Sequence, residues 1–458
     1  MKTRDHGAHG KHGTKKNPCL PCFPWFLLFF LLTATNLFAE LKFPPPEFES
    51  GYKMPQTQNP IPRSLLLQYA DVFVLAAALG VATWAIYKKR SRKWVIGTSV
   101  FSLLYFGFYR EGCVCAIGSI QNVSLGLFNS SYALPLGVIA FFALPLVFAL
   151  FFGRTFCAAV CPHGALQDLV LLKPINVPQW LEQGLGIIPF VYLGIAVLFA
   201  ATGSAFIICE YDPFIPMFRL SGSTTALTIG ASFLIVGVFI GRPYCRFLCP
   251  YGALLRISSL FSKWRVRITP DTCTQCTLCA ESCPFGVIRE PAAAPSNSRA
   301  LAGTRKRFLW SLAVLPLLIA LSAFAGNQFA HAAARMHPDV RLAEMHVKKQ
   351  SGVDPARAPK DQIALARAEQ ASTELLARAA TVQRRIQIGG WILGGWIGLV
   401  VGLKLLGVAA GKRRVEFEPE RSGCFGCARC FLSCPQQRMK DGLGPVAVPT
   451  PIAASMGK

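Results

Sequence analysis

Apolar runs close to the length of a membrane-spanning helix recur along this chain and constrain its fold more than any other feature. An α-helix needs about 20 mostly apolar residues to cross the hydrocarbon core of a bilayer. Only 15% of the residues are charged, against about a quarter in soluble domains. The sequence therefore predicts an all-α membrane protein with about eight transmembrane helices, near 23–39, 65–87, 94–109, 134–152, 187–208, 224–240, 308–326 and 387–409.

Positive charges in the loops predict how these helices are oriented. Loops on one side carry about twice as many Lys and Arg residues as loops on the other, and such residues favour the cytoplasmic side. Both termini are therefore expected in the cytoplasm. The loops also explain the net charge of +24, so nucleic acid is not an expected partner. The run 23–39 could instead be a cleaved signal peptide, which would leave the other helices oriented in the same way.

Eight cysteines form two copies of the run C-x2-C-x2-C-x3-C-P. This spacing is typical of two-cluster ferredoxins, in which the fourth cysteine of each run ligates the cluster held by the other run. The expected ligands of the first [4Fe–4S] cluster are Cys273, Cys276, Cys279 and Cys434. The expected ligands of the second [4Fe–4S] cluster are Cys424, Cys427, Cys430 and Cys283.

Two predicted spans separate the two ferredoxin runs. Two crossings return a chain to the side that it left, so both runs are expected in the reducing cytoplasm, which suits thiolate ligands. The sequence thus predicts a cytoplasmic dicluster ferredoxin-like α+β module that is split by a transmembrane hairpin. Glycines recur every fourth residue in the last span and are expected to let a neighbouring helix approach closely: Gly390, Gly394, Gly398 and Gly402.

A domain order follows from these predictions. It comprises a cytoplasmic basic, His-rich tail (1–22), a six-helix membrane domain with an internal repeat (23–240), a cytoplasmic segment with the first ferredoxin half (241–307), a transmembrane helix (308–326), a periplasmic helical segment (327–386), a transmembrane helix (387–409) and the second ferredoxin half (410–458). The periplasmic segment is interpreted as a solvated helical cap, with a docking platform for a partner as the alternative.

A second cysteine motif is repeated within the membrane domain. Residues 153–166 match residues 241–254, and each copy carries C-x3-C-P-x-G-A-L. A C-x3-C pair puts both sulfurs on one face of a helical turn, so two copies related by a pseudo-two-fold axis would offer four thiolates at one point. Iron–sulfur, copper(I) and zinc all remain open as the occupant, because each uses soft ligands. The candidate ligands of this third centre are Cys157, Cys161, Cys245 and Cys249.

The repeated motif and the ferredoxin run resemble the membrane polyferredoxins of the NosR and NapH type. The likeness covers residues 94–290 and the final ferredoxin run, and it is closer to NosR over residues 111–122. The resemblance implies a multi-pass electron carrier of the bacterial inner membrane, linked to a periplasmic reductase system. NosR-type proteins also have a periplasmic flavin domain ahead of their spans, and none is expected here.

Three further cysteines, Cys113, Cys115 and Cys209, are expected on the periplasmic side. They occupy similar places in the two repeat units and could form an outer redox site to which Glu210 or Asp212 contributes. A disulfide or buried small side chains are the alternatives. About 30 Å of hydrocarbon separates the cytoplasmic clusters from a periplasmic acceptor, so some relay is required. His163, beside Cys161, is a candidate for a supporting contact to a ligand.

The function predicted from these features is electron relay between a cytoplasmic or quinol donor and a periplasmic redox partner. The chain has no P-loop, dinucleotide fingerprint, haem-attachment run or hydrolase triad signature, so no substrate-transforming site is evident. Two alternatives stay open. One is a copper-reducing or metallocentre assembly factor for a respiratory enzyme, and the other is a redox-sensing regulator.

Overall fold

Helices dominate the part of the chain that the structure describes. This computed structural model describes residues 64–112, 115–130, 132–269, 273–291, 298–351, 372–409, 414 and 416–442. All of them belong to one compact unit, Pro45–Lys458.

The first repeat unit and the helices that lead into it occupy the described residues up to 201. They are α1 (Leu65–Tyr87), α2 (Arg92–Ser102), α3 (Ala116–Phe128), α4 (Leu136–Phe152), α5 (Pro162–Leu169), α6 (Gln179–Leu185) and α7 (Ile188–Ala201). A π-helix continues α2 over Leu103–Tyr109, and another precedes α5 over Phe156–Val160. π-Helical turns are frequent at functional sites, and the second one contains the first C-x3-C cysteine.

The second repeat unit contains shorter helices. They are α8 (Ile207–Glu210), α9 (Ile215–Arg219), α10 (Thr224–Gly237), α11 (Pro243–Phe247) and α12 (Pro250–Leu260). Proline begins α11 and α12 because its fixed φ suits the first turn, where its missing N–H has no helical partner.

The hairpin and the two ferredoxin halves complete the described chain. They comprise α13 (Leu278–Glu281), β1 (Ile288–Arg289), α14 (Ser298–Ala334), α15 (Pro338–Gln350), α16 (Ser372–Ala409), β2 (Glu418–Pro419), α17 (Arg429–Ser433) and α18 (Pro435–Lys440). Strands β1 and β2 pair antiparallel, with Ile288 opposite Pro419 and Arg289 opposite Glu418.

Four helices of the described chain are long and apolar enough to cross a membrane. They are Leu65–Tyr87, Gln179–Ala201 (α6 and α7 taken together), Arg305–Ala334 and Thr373–Ala409. The first coincides with the predicted span 65–87 and the others overlap the predicted spans 187–208, 308–326 and 387–409, which confirms a mostly helical membrane protein. The predicted spans 134–152 and 224–240 correspond to the shorter apolar helices α4 and α10. The span 94–109 corresponds to α2 and its π-helix, and 23–39 lies outside the described residues.

The two long helices α14 and α16 pack against each other along the glycine stripe. A Cβ atom added at Gly398 would lie 2.7 Å from the Leu318 carbonyl oxygen, and one at Gly394 would overlap the Ser322 carbonyl oxygen. At Gly390 it would lie 2.6 Å from the Ala330 Cβ. The close approach expected from the sequence is therefore present, and it depends on the missing side chains.

Both arms of the hairpin extend beyond the predicted spans and into the segment 327–386. Helix α14 continues to Ala334, and α16 begins at Ser372. The far ends of the arms form a second small core with α15 and with Phe199 of α7, and its other members are Ala330, Ala333, Ala334, Val340, Ala343, Ala379 and Ile386. This part of the segment is thus packed against the membrane helices.

Candidate metal centres

The two ferredoxin halves meet in space although the hairpin separates them in the sequence. The antiparallel pair β1–β2 joins them, and Arg289 Nη2 lies 2.9 Å from Glu420 Oε2. The ring centres of Phe285 and Phe425, one from each half, are 4.6 Å apart. The module that the sequence presents in two pieces is therefore joined in the fold.

The two cysteine loops share a backbone conformation. Gln275 and Thr277 have φ values of 54° and 64°, and the residues at the same positions of the second run, Gly426 and Ala428, have 69° and 62°. Left-handed residues inside such a turn point successive N–H groups into a concavity that binds anions. Both loops therefore suit an anionic group held by the flanking cysteines.

The fourth cysteine of each run lies near cysteines of the other run. Burial raises the pKa of Cys279 to about 12, and the Cys273, Cys276 and Cys434 thiols act in the same direction. Burial also raises the pKa of Cys430, and its thiol neighbours are Cys427, Cys424, Cys283 and Cys279. Thiols grouped in this way ionise together only when a bound cation offsets their mutual repulsion.

The four C-x3-C cysteines are buried together in the main core. Between 4% and 6% of the surface of Cys157, Cys161, Cys245 and Cys249 is exposed. A hydrogen bond from Cys161, in the first copy, lowers the pKa of Cys245 in the second copy to about 6. The two copies therefore share one site.

Each copy of the C-x3-C motif contributes an arginine that contacts the other copy. Arg242 of the second copy donates to the Cys157 carbonyl oxygen. A Cβ atom added at Gly164 of the first copy would lie 3.2 Å from Arg242 Nη1. A Cβ atom added at Gly252 of the second copy would likewise lie 3.4 Å from Arg154 Nη2 of the first copy. Each motif glycine thus makes room for the arginine of the other copy, in agreement with a pseudo-two-fold arrangement.

Several buried hydrogen-bond donors around these cysteines find no acceptor among the described residues. They are Arg154 Nε, Thr155 Oγ1, His163 Nδ1, Arg242 Nε and Arg246 Nε. Buried donors normally have a partner, because leaving one unpaired costs about 1–3 kcal/mol. This set suits an occupant rich in hydrogen-bond acceptors and negative charge, as the sulfides and thiolates of an iron–sulfur cluster are.

The described residues contain no three His, Cys, Asp or Glu side chains that converge on the position of one metal ion. Zinc in a structural site needs four ligands around a single atom. In a [4Fe–4S] cube each cysteine binds a different iron, so the four sulfurs surround a larger volume.

His163 and Asp212 form a buried contact inside the core. His163 Nε2 lies 3.1 Å from both carboxylate oxygens of Asp212, and less than 2% of either side chain is exposed. The orientation predicted from loop charges puts the loop 153–186, with His163, on the cytoplasmic side and Asp212 on the periplasmic side. That separation is wrong, because the segment after α8 folds inward and accepts the His163 ring between Phe214 and Phe218.

Cys115 and Cys209 lie close to the C-x3-C cysteines. Cys115 lines the same small cavity as Cys161, and it accepts a hydrogen bond from the Ile117 amide at 3.3 Å. A Cβ atom added at Gly118, on the helix that Cys115 precedes, would lie 3.2 Å from Cys209 Sγ. The two thiols therefore extend the group of cysteines rather than form a distant site. Cys113 lies outside the described residues.

An ion-pair centre at Asp168 joins the membrane domain to the second ferredoxin half. Its carboxylate contacts Arg92, Arg242 at 3.5 Å and Arg429 at 3.4 Å. Burial alone would raise the pKa of Asp168, but the guanidinium groups of Arg242 and Arg92 lower it to about 2. Arg92 also donates to the Cys427 carbonyl oxygen at 2.8 Å. Sequence reasoning missed this centre, although the arginine repeated in both motif copies was a signal for it.

Asp71, inside α1, is buried, and its carboxylate lies 2.9 Å from Arg110 Nη2. The Tyr105 hydroxyl donates to it at 2.8 Å.

Two family models for 4Fe-4S binding domains match the chain. One matches residues 134–182 and 223–269, which contain both copies of the C-x3-C motif. The other matches residues 265–288, which contain the first ferredoxin run. The C-x3-C region and the ferredoxin region are therefore both similar to known iron–sulfur domains.

Several curated proteins are similar to parts of the chain. Over 188 residues it is 28% identical to YccM of Escherichia coli (strain K12), covering 35% of this chain and 51% of YccM. Over 153 residues it is 35% identical to NirI of Paracoccus denitrificans, covering 30% and 22%. Over 232 residues it is 28% identical to the regulatory protein NosR of Pseudomonas aeruginosa, covering 44% and 30%. The chain thus spans about half the length of YccM and less of the others. No solved structure matches it.

Proposed function

Because this chain is a ferredoxin-like 4Fe–4S membrane protein of the NosR/NapH type, we propose that it relays electrons through the inner membrane. The donor is a cytoplasmic protein or a quinol, and the acceptor is a periplasmic redox partner. The single observation that carries the proposal is that neighbouring cysteine sites are in contact: Arg154 reaches both the second ferredoxin run and Cys157, and Cys115 lines the same cavity as Cys161.

The exposure of the two ferredoxin loops supports an order of transfer. Thr274, Gln275 and Thr277 of the first loop are exposed, so a soluble donor can approach this loop. Phe425 and Ala428 of the second loop are 2% and 3% exposed, against the membrane domain. Entry at the first run and passage through the second is therefore the expected direction for a cytoplasmic donor.

A third iron–sulfur centre at the C-x3-C cysteines is part of the proposal. Its support is the group of buried donors without acceptors and the match of a 4Fe-4S domain model to both motif copies. Bound clusters of this kind supply one-electron redox chemistry, with potentials that depend on hydrogen bonds to sulfur and on burial. The chain's own residues hold the cysteines in place, supply buried positive charge and exclude water.

Copper handling by the same cysteines is the second candidate function. The observation that favours it is the burial of four cysteine side chains together in one core, Cys157, Cys161, Cys245 and Cys249. Thiolates are soft ligands that select copper(I). A copper-reducing assembly factor would use these cysteines as its copper site and the ferredoxin runs as the source of electrons.

Iron and acid-labile sulfide per chain, measured on anaerobically purified full-length protein, test the proposal. Three [4Fe–4S] clusters predict about twelve of each. About eight of each, with stoichiometric copper retained at the C-x3-C cysteines, would favour the assembly factor. Far fewer than eight, in a preparation that keeps its helical content and does not lose iron on handling, would contradict both functions.

A matched pair of variants assigns the third centre. Changing Cys157 and Cys245 to Ser is expected to remove about four iron atoms and leave about eight. Changing Cys115 to Ser serves as the control, because Cys115 lies beside the quartet but outside the two C-x3-C motifs. An equal loss of iron in this control would assign the centre to a different ligand set.

A further inference from the structure

Two arginines lie between the second ferredoxin run and the C-x3-C cysteines. Arg154 and Arg242 follow the first glycine of each motif copy, and 2% and 0% of their surfaces are exposed. Their guanidinium carbons lie 4.0 Å and 5.7 Å from the centre of the Phe425 ring. Since Phe425 directly follows Cys424, this arginine pair contacts the loop of the second run.

The same pair contacts the C-x3-C site on its other side. Arg154 Nη2 lies 3.7 Å from Cys157 Sγ, and Arg242 donates to the carbonyl oxygens of Cys157 and Ala158. Arg154 Nη1 also lies 3.4 Å from the Ser422 carbonyl oxygen, two residues before Cys424. The guanidinium of Arg154 therefore bridges the two cysteine sites directly.

The charges of the two arginines are balanced differently. Arg242 forms an ion pair with Asp168 at 3.5 Å, so its positive charge is partly offset. Within the described chain Arg154 forms no ion pair with a carboxylate, and its Nε atom lacks an acceptor. A buried charge acts at low effective dielectric, where it is screened far less than at the surface. Arg154 is therefore the main source of positive potential at Cys157.

An electron added to the C-x3-C site increases its negative charge. A neighbouring cation stabilises the more negative state and raises the reduction potential. We propose that Arg154, held in place by Phe425 and the Ser422 carbonyl oxygen, raises the reduction potential of the C-x3-C centre, which accepts electrons from the second ferredoxin site. The proposal rests on the proposed function, since it needs a redox-active centre at these cysteines. One electron moves from the second ferredoxin site to the C-x3-C site, and no covalent bond changes.

A redox titration followed by electron paramagnetic resonance tests this role in the anaerobically purified full chain. In Arg154→Gln we expect the one-electron reduction equilibrium of the C-x3-C centre to fall at least about tenfold, which is about 59 mV. Arg154→Lys keeps the positive charge and is expected to restore most of the potential. A purely structural role predicts no such difference between the two variants in samples of equal iron content.

Arg421→Gln is the matched control. Arg421 is exposed and lines the same small cavity as Arg154 and Cys424. Its removal takes away one positive charge near the second run, but solvent screens that charge. The potential of the C-x3-C centre is expected to stay at the wild-type value.

The outcomes separate this inference from the proposed function. An unchanged potential in Arg154→Gln, with about twelve iron atoms retained, overturns the inference and leaves the relay in place. If the wild type holds about eight iron atoms and shows no paramagnetic resonance signal from a third cluster, both the inference and the proposed relay are overturned. If the Arg154→Gln variant loses its iron, the Phe425→Leu variant is measured in its place. Removing the Phe425 ring releases the Arg154 guanidinium, and this is expected to lower the reduction potential of the C-x3-C centre. No shift in Phe425→Leu would overturn the inference.

Discussion

At the scale of single residues, Asp168 is the side chain whose loss we expect to cost most stability. Its replacement by Asn leaves Arg242 buried without its carboxylate, and breaking a buried ion pair in this way costs about 3–5 kcal/mol. The thermal unfolding midpoint of Asp168→Asn in detergent should therefore fall by several degrees. Glu374→Gln is the control, because Glu374 pairs with Arg378 at an exposed site, where such pairs contribute about 0.5 kcal/mol. Equal effects of the two changes would contradict this assignment.

The pH dependence of the same carboxylate has a definite sign. The pKa of Asp168 is lowered to about 2 in the folded chain, against about 3.9 when unfolded. Its ion pairs therefore stabilise the fold fully above about pH 5 and are lost as the pH falls toward 2. The difference in unfolding midpoint between wild type and Asp168→Asn should stay constant from pH 7 to 5 and shrink below that. A difference that grows on acidification would be inconsistent with these ion pairs.

What the sequence could predict at this scale depends on how local the chemistry is. The ferredoxin cysteines are recognisable because a cluster dictates their spacing, which is written in one stretch of chain. The partners of Asp168 and Asp212 come from distant stretches, so only the fold selects them. His163 and Asp212 illustrate this, since a prediction from loop order separates them and the structure places them in contact.

At the scale of elements, the contact between α14 and α16 should depend on single glycines. In Gly394→Ala the new methyl group meets the Ser322 carbonyl oxygen and the Ala323 Cα atom. Overpacking of this kind costs about 1–3 kcal/mol. We expect a lower unfolding midpoint and weaker iron retention, because the hairpin holds the two ferredoxin halves together.

The adjacent glycine provides the control for this change. A Cβ atom at Gly395 would lie 3.9 Å from the nearest atom, a methyl group of Ile319, which is ordinary contact. Gly395→Ala should therefore leave both the unfolding midpoint and the iron content unchanged. A fall in the unfolding midpoint as large as that of Gly394→Ala would contradict the role of helix contact, because alanine by itself favours a helix more than glycine does.

The expectation that the fourth cysteine of each ferredoxin run ligates the cluster of the other run can be tested by combining variants. Cys434→Ser should remove about four iron atoms. Adding Cys276→Ser should remove no more, because both cysteines are expected to hold the first cluster. Adding Cys427→Ser should instead remove about four more. The opposite pattern in the iron content of the two double variants would assign Cys434 to the cluster of its own run.

Element boundaries were predictable where composition changes sharply, as at the ends of α1. They were less so for the hairpin, because the polar residues of 327–334 and 372–386 continue helices that begin or end in the membrane. Hydropathy marks where a helix meets water, whereas the helix itself ends where its packing partners end. The small core around Val340 supplies those partners here.

At the scale of the whole molecule, the joined ferredoxin module predicts the topology of the hairpin. The halves 273–291 and 416–442 pair with each other, so they lie on one side, and the segment between α15 and α16 is expected on the other. Alkaline phosphatase inserted within 352–371 should be active, whereas a fusion at Lys458 should be inactive. Green fluorescent protein at the same positions should show the reverse. Equal activity at both positions would contradict the two crossings.

The split of the ferredoxin module also affects how the protein is made. Each cluster is expected to draw ligands from both sides of the hairpin, so neither ligand set is complete until nearly the whole chain has left the ribosome. The hairpin must therefore insert into the membrane before iron can be loaded in full. A chain that inserts with the wrong topology would be left with incomplete sites. Iron loading would thus act as a proofreading step for membrane insertion.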